Sequence, residues 1–205
     1  AATYGDGKNG FLDRDDPEYL QKLRPLNLYG WSKHHFDKWA VARANSGHSP
    51  PKWAGIKFFN VYGSRETHKQ HMTSIVAKNF NKILKGETIQ LFQSYEAEYE
   101  DGGQLRDFVY VEDCVRAIWW MKNNEFSNGL YNFGTGQACS FHQLLDLASN
   151  AAQTSLSVEF IPMPEEIRKN YQYFTQANMS KWYRQCNSVE FRPPQRALLN
   201  FIKKT

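Results

Sequence analysis

Leu26-Asn27-Leu28-Tyr29-Gly30-Trp31-Ser32-Lys33-His34-His35-Phe36-Asp37 opens the segment whose reading decides the fold class. Phe36, Trp39, Ala40 and Arg43 stand at i, i+3, i+4 and i+7, so three apolar residues share one face of a helix predicted from about Leu28 to Asn45. Ser46-Gly47-His48-Ser49-Pro50-Pro51 ends that helix. Gly55-Ile56-Lys57-Phe58-Phe59-Asn60-Val61-Tyr62-Gly63 follows, an apolar run closed by glycine, and reads as a buried strand of a parallel sheet. A helix leading into such a strand is half of a β-α-β unit, and the chain is therefore of the α/β class.

Tyr29 and Lys33 lie four residues apart, one turn of the same helix. A free phenol has a pKa of about 10 and is a poor base near neutral pH. A neighbouring ammonium favours the phenolate, so the pair can transfer a proton. The spacing alone is weak evidence, because a tyrosine that simply packs is the commoner outcome.

The 205 residues are 41% hydrophobic, enough for a sizeable core, and 15% aromatic, which excludes a disordered chain. The net charge of +4 comes without any block of lysine and arginine, so nucleic acid is not an expected partner. Cys114, Cys139 and Cys186 are odd in number and widely spaced, which argues against zinc and against a disulfide framework. Core thiols in a reducing compartment are expected, and hence a cytoplasmic protein. No apolar run reaches membrane-spanning length.

Along the chain, Asp6 to Arg24 reads as a surface loop. Ser64 to His71 is a polar loop at the carboxyl end of the predicted strand, where ligands of open α/β sheets gather; it carries Arg65, Glu66, His68 and Lys69. A helix over Met72–Leu84, a strand at Ile89–Phe92 and an irregular insertion from Ser94 to Leu105 are expected next. Arg106 to Val111 reads as a strand and Val115 to Lys122 as a helix, with Asp113 at its start in a capping role. Gly129–Phe133 is a strand entering a glycine turn, Ser140 caps a helix to about Ala152, Leu156–Ile161 is a strand, and Gln195–Lys203 closes the chain as a helix.

Several of these stretches together resemble the extended short-chain dehydrogenase/reductase family. They are Ala2-Thr3-Tyr4-Gly5, Tyr29-x-x-x-Lys33, Phe59-Asn60-Val61-Tyr62-Gly63, Arg106-Asp107-Phe108-Val109-Tyr110-Val111-x-Asp113 and Asn132-Phe133-Gly134-Thr135-Gly136, in matching order. Arg65-Glu66-x-His68-Lys69 and Tyr171-Gln172-Tyr173-Phe174-Thr175-Gln176-Ala177 are similar to the branch that epimerises ADP-heptoses for the lipopolysaccharide core. The resemblance implies the C-terminal part of a Rossmann-type parallel sheet with a smaller α/β substrate-binding domain. Residues 1–60 and 106–136 would be the remaining cofactor part, and 61–105 and 137–205 mainly the substrate part.

The resemblance also implies epimerisation at C6 through bound NADP, with NAD possible, and a homo-oligomer. By the same resemblance, Tyr29 and Lys69 would be catalytic and Lys33 would hold the nicotinamide ribose, with Val61 and Lys69 also at the cofactor. Asn60, Phe92, Tyr95, Arg106 and Tyr171 would meet the substrate. The family's serine and histidine after the loop lysine correspond to His71 and Lys78 here, departures that alter those substrate contacts. The family's catalytic serine would fall one residue before Ala1 and its glycine-rich loop far earlier, so a fragment of a longer protein is expected. The branch point stays open: a sugar-nucleotide 4-epimerase or 4,6-dehydratase would lack Lys69, and a truncated chain would be inactive.

Overall fold

The computed structural model describes residues 1–169 and 171–204; the side chains of Thr67 and His71 lie outside the described residues. Helix α1 (Pro17–Lys22) is capped by Asp16, which accepts from the Tyr19 amide. It lies inside the stretch expected to be all loop, because an Asp-Pro start and a buried Tyr19–Leu20 pair outweigh the surrounding polar residues. Helix α2 (Leu28–Asn45) has the predicted bounds. Asn27 caps it through the Gly30 amide at 2.9 Å. Gly30 must be glycine, since a Cβ there would lie 2.7 Å from the Ala2 carbonyl oxygen and 2.9 Å from Pro25 Cβ. That close approach seats α2 on the short 3-10 turn Ala2–Tyr4.

The predicted strand 55–63 is two strands, β1 (Ala54–Phe58) and β2 (Asn60–Tyr62), broken at Phe59. Helix α3 (Ile75–Lys85) starts at its Ser74 cap, later than expected, and ends at left-handed Gly86. Then come β3 (Ile89–Phe92), the irregular segment, β4 (Leu105–Tyr110) and α4 (Val111–Asn123). Strands β5 (Gly129–Phe133) and β6 (Ala138–Ser140) lead into α5 (Phe141–Ala151), whose Ser140 and Gln143 form a capping box. Strand β7 (Val158–Ile161) and helices α6 (Glu165–Arg168), α7 (Ser180–Gln185) and α8 (Pro194–Ile202) complete the order.

Strand β1 pairs with β5, β2 with β4 and β3 with β7, all parallel; β6 runs antiparallel to β4. Two apolar cores result. Tyr4, Leu20, Leu130, Phe133, Trp182 and Phe191 belong to the first, and Tyr62, Phe80, Leu91, Leu144, Leu198 and Phe201 to the second. Strand β4 serves both by alternation: Val109 enters the first core, Phe108 and Tyr110 the second.

One expected side-chain role is corrected. Asp113 does not cap α4: it is fully buried and accepts from Arg116, from the Arg192 guanidinium and from the Arg192 amide, tying α4 to the segment before α8. The apolar face of α2 is turned outward, with Phe36 62% and Trp39 58% exposed, while Gly30, His34, Asp37 and Val41 face inward. The free cysteines are buried as expected.

Candidate active site

Helix α2 presents Tyr29 and Lys33 together on its outer face, with Lys33 Nζ 5.4 Å from the centre of the Tyr29 ring. Both border a cavity of about 700 Å³, whose other walls include Thr3, Phe36, Asn60 and Arg106. In its wall Lys57, largely buried on β1, donates to Asp37 and to Thr3 Oγ1 at 3.1 Å, and lies over the Tyr4 ring. Burial lowers the Lys57 pKa, and the Asp37 carboxylate works against that shift. Neither Lys57 nor Asp37 was assigned a role from sequence. The available signal was a lone lysine inside the apolar run Gly55–Val61.

A second cavity of about 610 Å³ is lined by Asn60, Val61, Lys69, Lys78, Phe92 and Tyr171, among others. Phe59 and Asn60 border both cavities, so the break between β1 and β2 is the wall they share. Arg106 links them from the other side. Its guanidinium is 5.2 Å from the Tyr171 ring centre and 5.6 Å from that of Phe141. Its Nη1 donates to the Leu105 carbonyl at 2.8 Å. Burial lowers the Arg106 pKa and Tyr171 opposes the shift. Arg106 is only 7% exposed, and among the described residues no carboxylate pairs with it. A buried guanidinium without a counter-ion beside an open cavity is suited to an anionic ligand.

The loop from Gly63 to Ser74 brings Lys69 to the second cavity. Glu66 is its centre, 4% exposed, and pairs with Lys69 Nζ at 3.2 Å. The structure thus groups Tyr29, Lys33, Asn60 and Arg106 in one cavity, and Asn60, Val61, Lys69, Lys78, Phe92 and Tyr171 in the next. Tyr29 and Lys69 line different cavities. Tyr95 lines neither: the Arg168 guanidinium sits 3.5 Å from its ring centre, and the irregular segment carries it outward, 44% exposed. His71 falls in the Lys69 loop, with its side chain outside the described residues.

A parallel α/β sheet carries the Tyr-x-x-x-Lys helix beside a cavity that runs along β1 from Ala54 to Phe58, and such sheets are the frame of dinucleotide-binding enzymes. Residues 1–134 match the family described as NAD dependent epimerase/dehydratase, and the chain belongs to that family. An ADP-L-glycero-D-manno-heptose-6-epimerase from Fusobacterium nucleatum subsp. nucleatum is 46% identical over 187 residues, 88% of this chain and 55% of that protein. One from Nitratidesulfovibrio vulgaris strain Hildenborough is 41% identical over 204 residues, 100% of this chain and 61% of that protein. The chain therefore spans little more than half the length of these relatives. The crystal structure of Helicobacter pylori ADP-L-glycero-D-manno-heptose-6-epimerase is similar in fold, with a TM-score of 0.73 at 24% identity, covering 100% of this chain and 57% of that one.

Proposed function

We propose that the protein carrying this chain epimerises C6 of an ADP-heptose with a bound nicotinamide cofactor. The single observation that carries the reading is the 46% identity, over 88% of this chain, with an ADP-L-glycero-D-manno-heptose-6-epimerase; Tyr29 and Lys69 line adjoining cavities that meet at Asn60. Inverting a carbinol carbon by oxidation and reduction needs proton-transfer groups on two faces of one carbon. Tyr29 takes the hydroxyl proton on the first face. Lys69 returns a proton to the carbonyl oxygen after the sugar has turned. Lys33, its Nζ 5.4 Å from the centre of the Tyr29 ring, orients the ribose.

The donor set of the first cavity fits a nicotinamide riboside, with an ammonium and a phenol for hydroxyl groups and the Phe36 ring as an apolar wall. The cofactor, NADP on the strength of the family resemblance, supplies reversible two-electron exchange at the sugar carbon. Val61, beside Asn60, is assigned to the cofactor side by the same resemblance. Arg106 reaches the diphosphate; Tyr171, Phe92 and Lys78 line the path of the nucleotide. The first core draws mainly on the cofactor half, with Trp182 and Phe191 added from residues 137–205, and the second mainly on the substrate half, with Phe108 and Tyr110 added from 106–136. Buried thiols are compatible with a reducing cytoplasm, and the outward apolar face of α2 supports assembly as a homo-oligomer.

The test uses the complete reading frame that contains this chain. Tyr29→Phe and Lys69→Met are each expected to lower kcat for ADP-heptose by roughly 10²–10⁴-fold. Full activity of Lys69→Met would instead indicate a 4-epimerase or dehydratase chemistry that does without the loop amine.

A further inference from the structure

The loop that carries Lys69 is folded round one buried side chain. Glu66 Oε1 accepts from the Gly63 amide at 2.8 Å and from the Ser74 hydroxyl at 2.7 Å. Its Oε2 accepts from the Ser74 amide at 2.9 Å and from Lys69 Nζ at 3.2 Å. The Glu66 carbonyl closes the same circuit, accepting from the Lys69 amide at 2.9 Å and from Thr73 Oγ1 at 3.3 Å. One residue therefore joins the end of β2, the start of α3 and the amine between them. Three of the four donors to the carboxylate belong to the scaffold and fix where it stands. The fourth is the lysine, whose side chain is 40% exposed while that of Glu66 is 5% exposed. A rigid acceptor holding a movable donor sets where that donor can reach.

We propose that Glu66 is a positioning residue that holds the Lys69 ammonium at the rim of the second cavity. The assignment rests on the role given to Lys69 above. It differs from a plain structural role in what it governs: the placement of one amine, besides the closure of the loop. Misplacing a reacting group by about 1 Å costs of order 100-fold in rate.

The test compares Glu66→Gln, Ser74→Ala and Lys69→Met in the complete reading frame. Glu66→Gln keeps the side-chain length and removes the charge that holds Lys69. Ser74→Ala loosens the same loop by removing the hydroxyl bonded to Glu66, and leaves the ion pair. Expected for Glu66→Gln is a fall in kcat of about 100-fold with KM within about threefold. A second readout needs no turnover. Acylation of Lys69 by an N-hydroxysuccinimide ester, followed by peptide mass spectrometry, should run several-fold faster in Glu66→Gln than in wild type. Ser74→Ala should lower the melting temperature without either change. Should Glu66→Gln not fold, Glu66→Asp, which withdraws the charge by one methylene, is read by the same criteria. The proposal is overturned if Lys69→Met is inactive while Glu66→Gln keeps kcat within threefold. It is equally overturned if Ser74→Ala loses as much kcat as Glu66→Gln, for then Glu66 is a brace only. An active Lys69→Met would sink the underlying epimerase reading, a result distinct from both.

Discussion

Glu66 also gives the Lys69 loop a pH dependence. Burial works to raise the pKa of this carboxyl, but the Ser74 hydroxyl and amide, the Gly63 amide and Lys69 outweigh it and hold it below the ordinary value of 4.5. A carboxyl whose folded pKa is depressed stabilises the fold above its unfolded pKa, and that contribution is lost as pH falls through the folded value. The loop should therefore be fully closed at neutral pH and should open in acid. Followed by NMR, the Gly63 and Ser74 amide shifts are expected to titrate together with a midpoint below 4.5. A midpoint above that value would contradict the bonding around Glu66. The carboxylate's position in the loop was legible from its sequence, but its bonding was not. Glu66 sits in a polar stretch that resembles any solvated loop, and only the return of Ser74 eight residues later makes it buried. Lys57 poses the opposite case: its apolar neighbours marked it as odd, yet its partner Asp37 lies twenty residues away on α2, out of reach of local pattern.

Between elements, Asp107 on β4 does what Glu66 does within a loop. It is fully buried. Its Oδ1 accepts from the Thr135 amide and hydroxyl, both at 2.7 Å; its Oδ2 accepts from the Gly136 and Ala177 amides, both at 2.9 Å. Strand β4, the turn after β5 and the segment before α7 thus converge on one carboxylate. Asp107→Ala leaves three backbone amides without an acceptor, each costing about 1–3 kcal/mol. A loss of at least about 3 kcal/mol follows. For a chain of this size that lowers Tm by roughly 6–12 °C, at about 2–4 °C per kcal/mol. Calorimetric melting of Asp107→Ala against wild type checks it, and a shift under 2 °C would show the clasp to be dispensable. At this scale the sequence was easiest to read. Helix α2, strands β3 and β5 and the Ser140 cap follow from periodicity and capping chemistry local to each element. Strand β6 is three residues long and exists only because β4 pairs with it, so no local pattern could announce it.

For the whole molecule the question is what the 205 residues can do by themselves. Leu28 is 88% exposed on α2 and Trp119 63% exposed on α4. The chain spans 55% and 61% of two relatives' lengths. Among the described residues the first cavity offers a tyrosine, two lysines and a buried arginine, but no helix opens on a glycine-rich turn. A dinucleotide's pyrophosphate ordinarily rests on such a turn, where free amides and the helix dipole meet it. Each charge-assisted hydrogen bond that goes unmade costs about 1.5–3 kcal/mol. Losing two of them weakens binding by about 10²–10⁴-fold, since 1.4 kcal/mol is tenfold. Against a micromolar affinity for a site that has such a turn, the isolated 205-residue chain should therefore bind a nicotinamide dinucleotide, NAD or NADP, only above about 100 µM. Calorimetric titration of the purified chain measures this directly. A dissociation constant in the low micromolar range would show that the Tyr29–Lys33 cavity and Arg106 hold the cofactor without a glycine-rich turn, and the division of labour proposed for the two cavities would have to be redrawn.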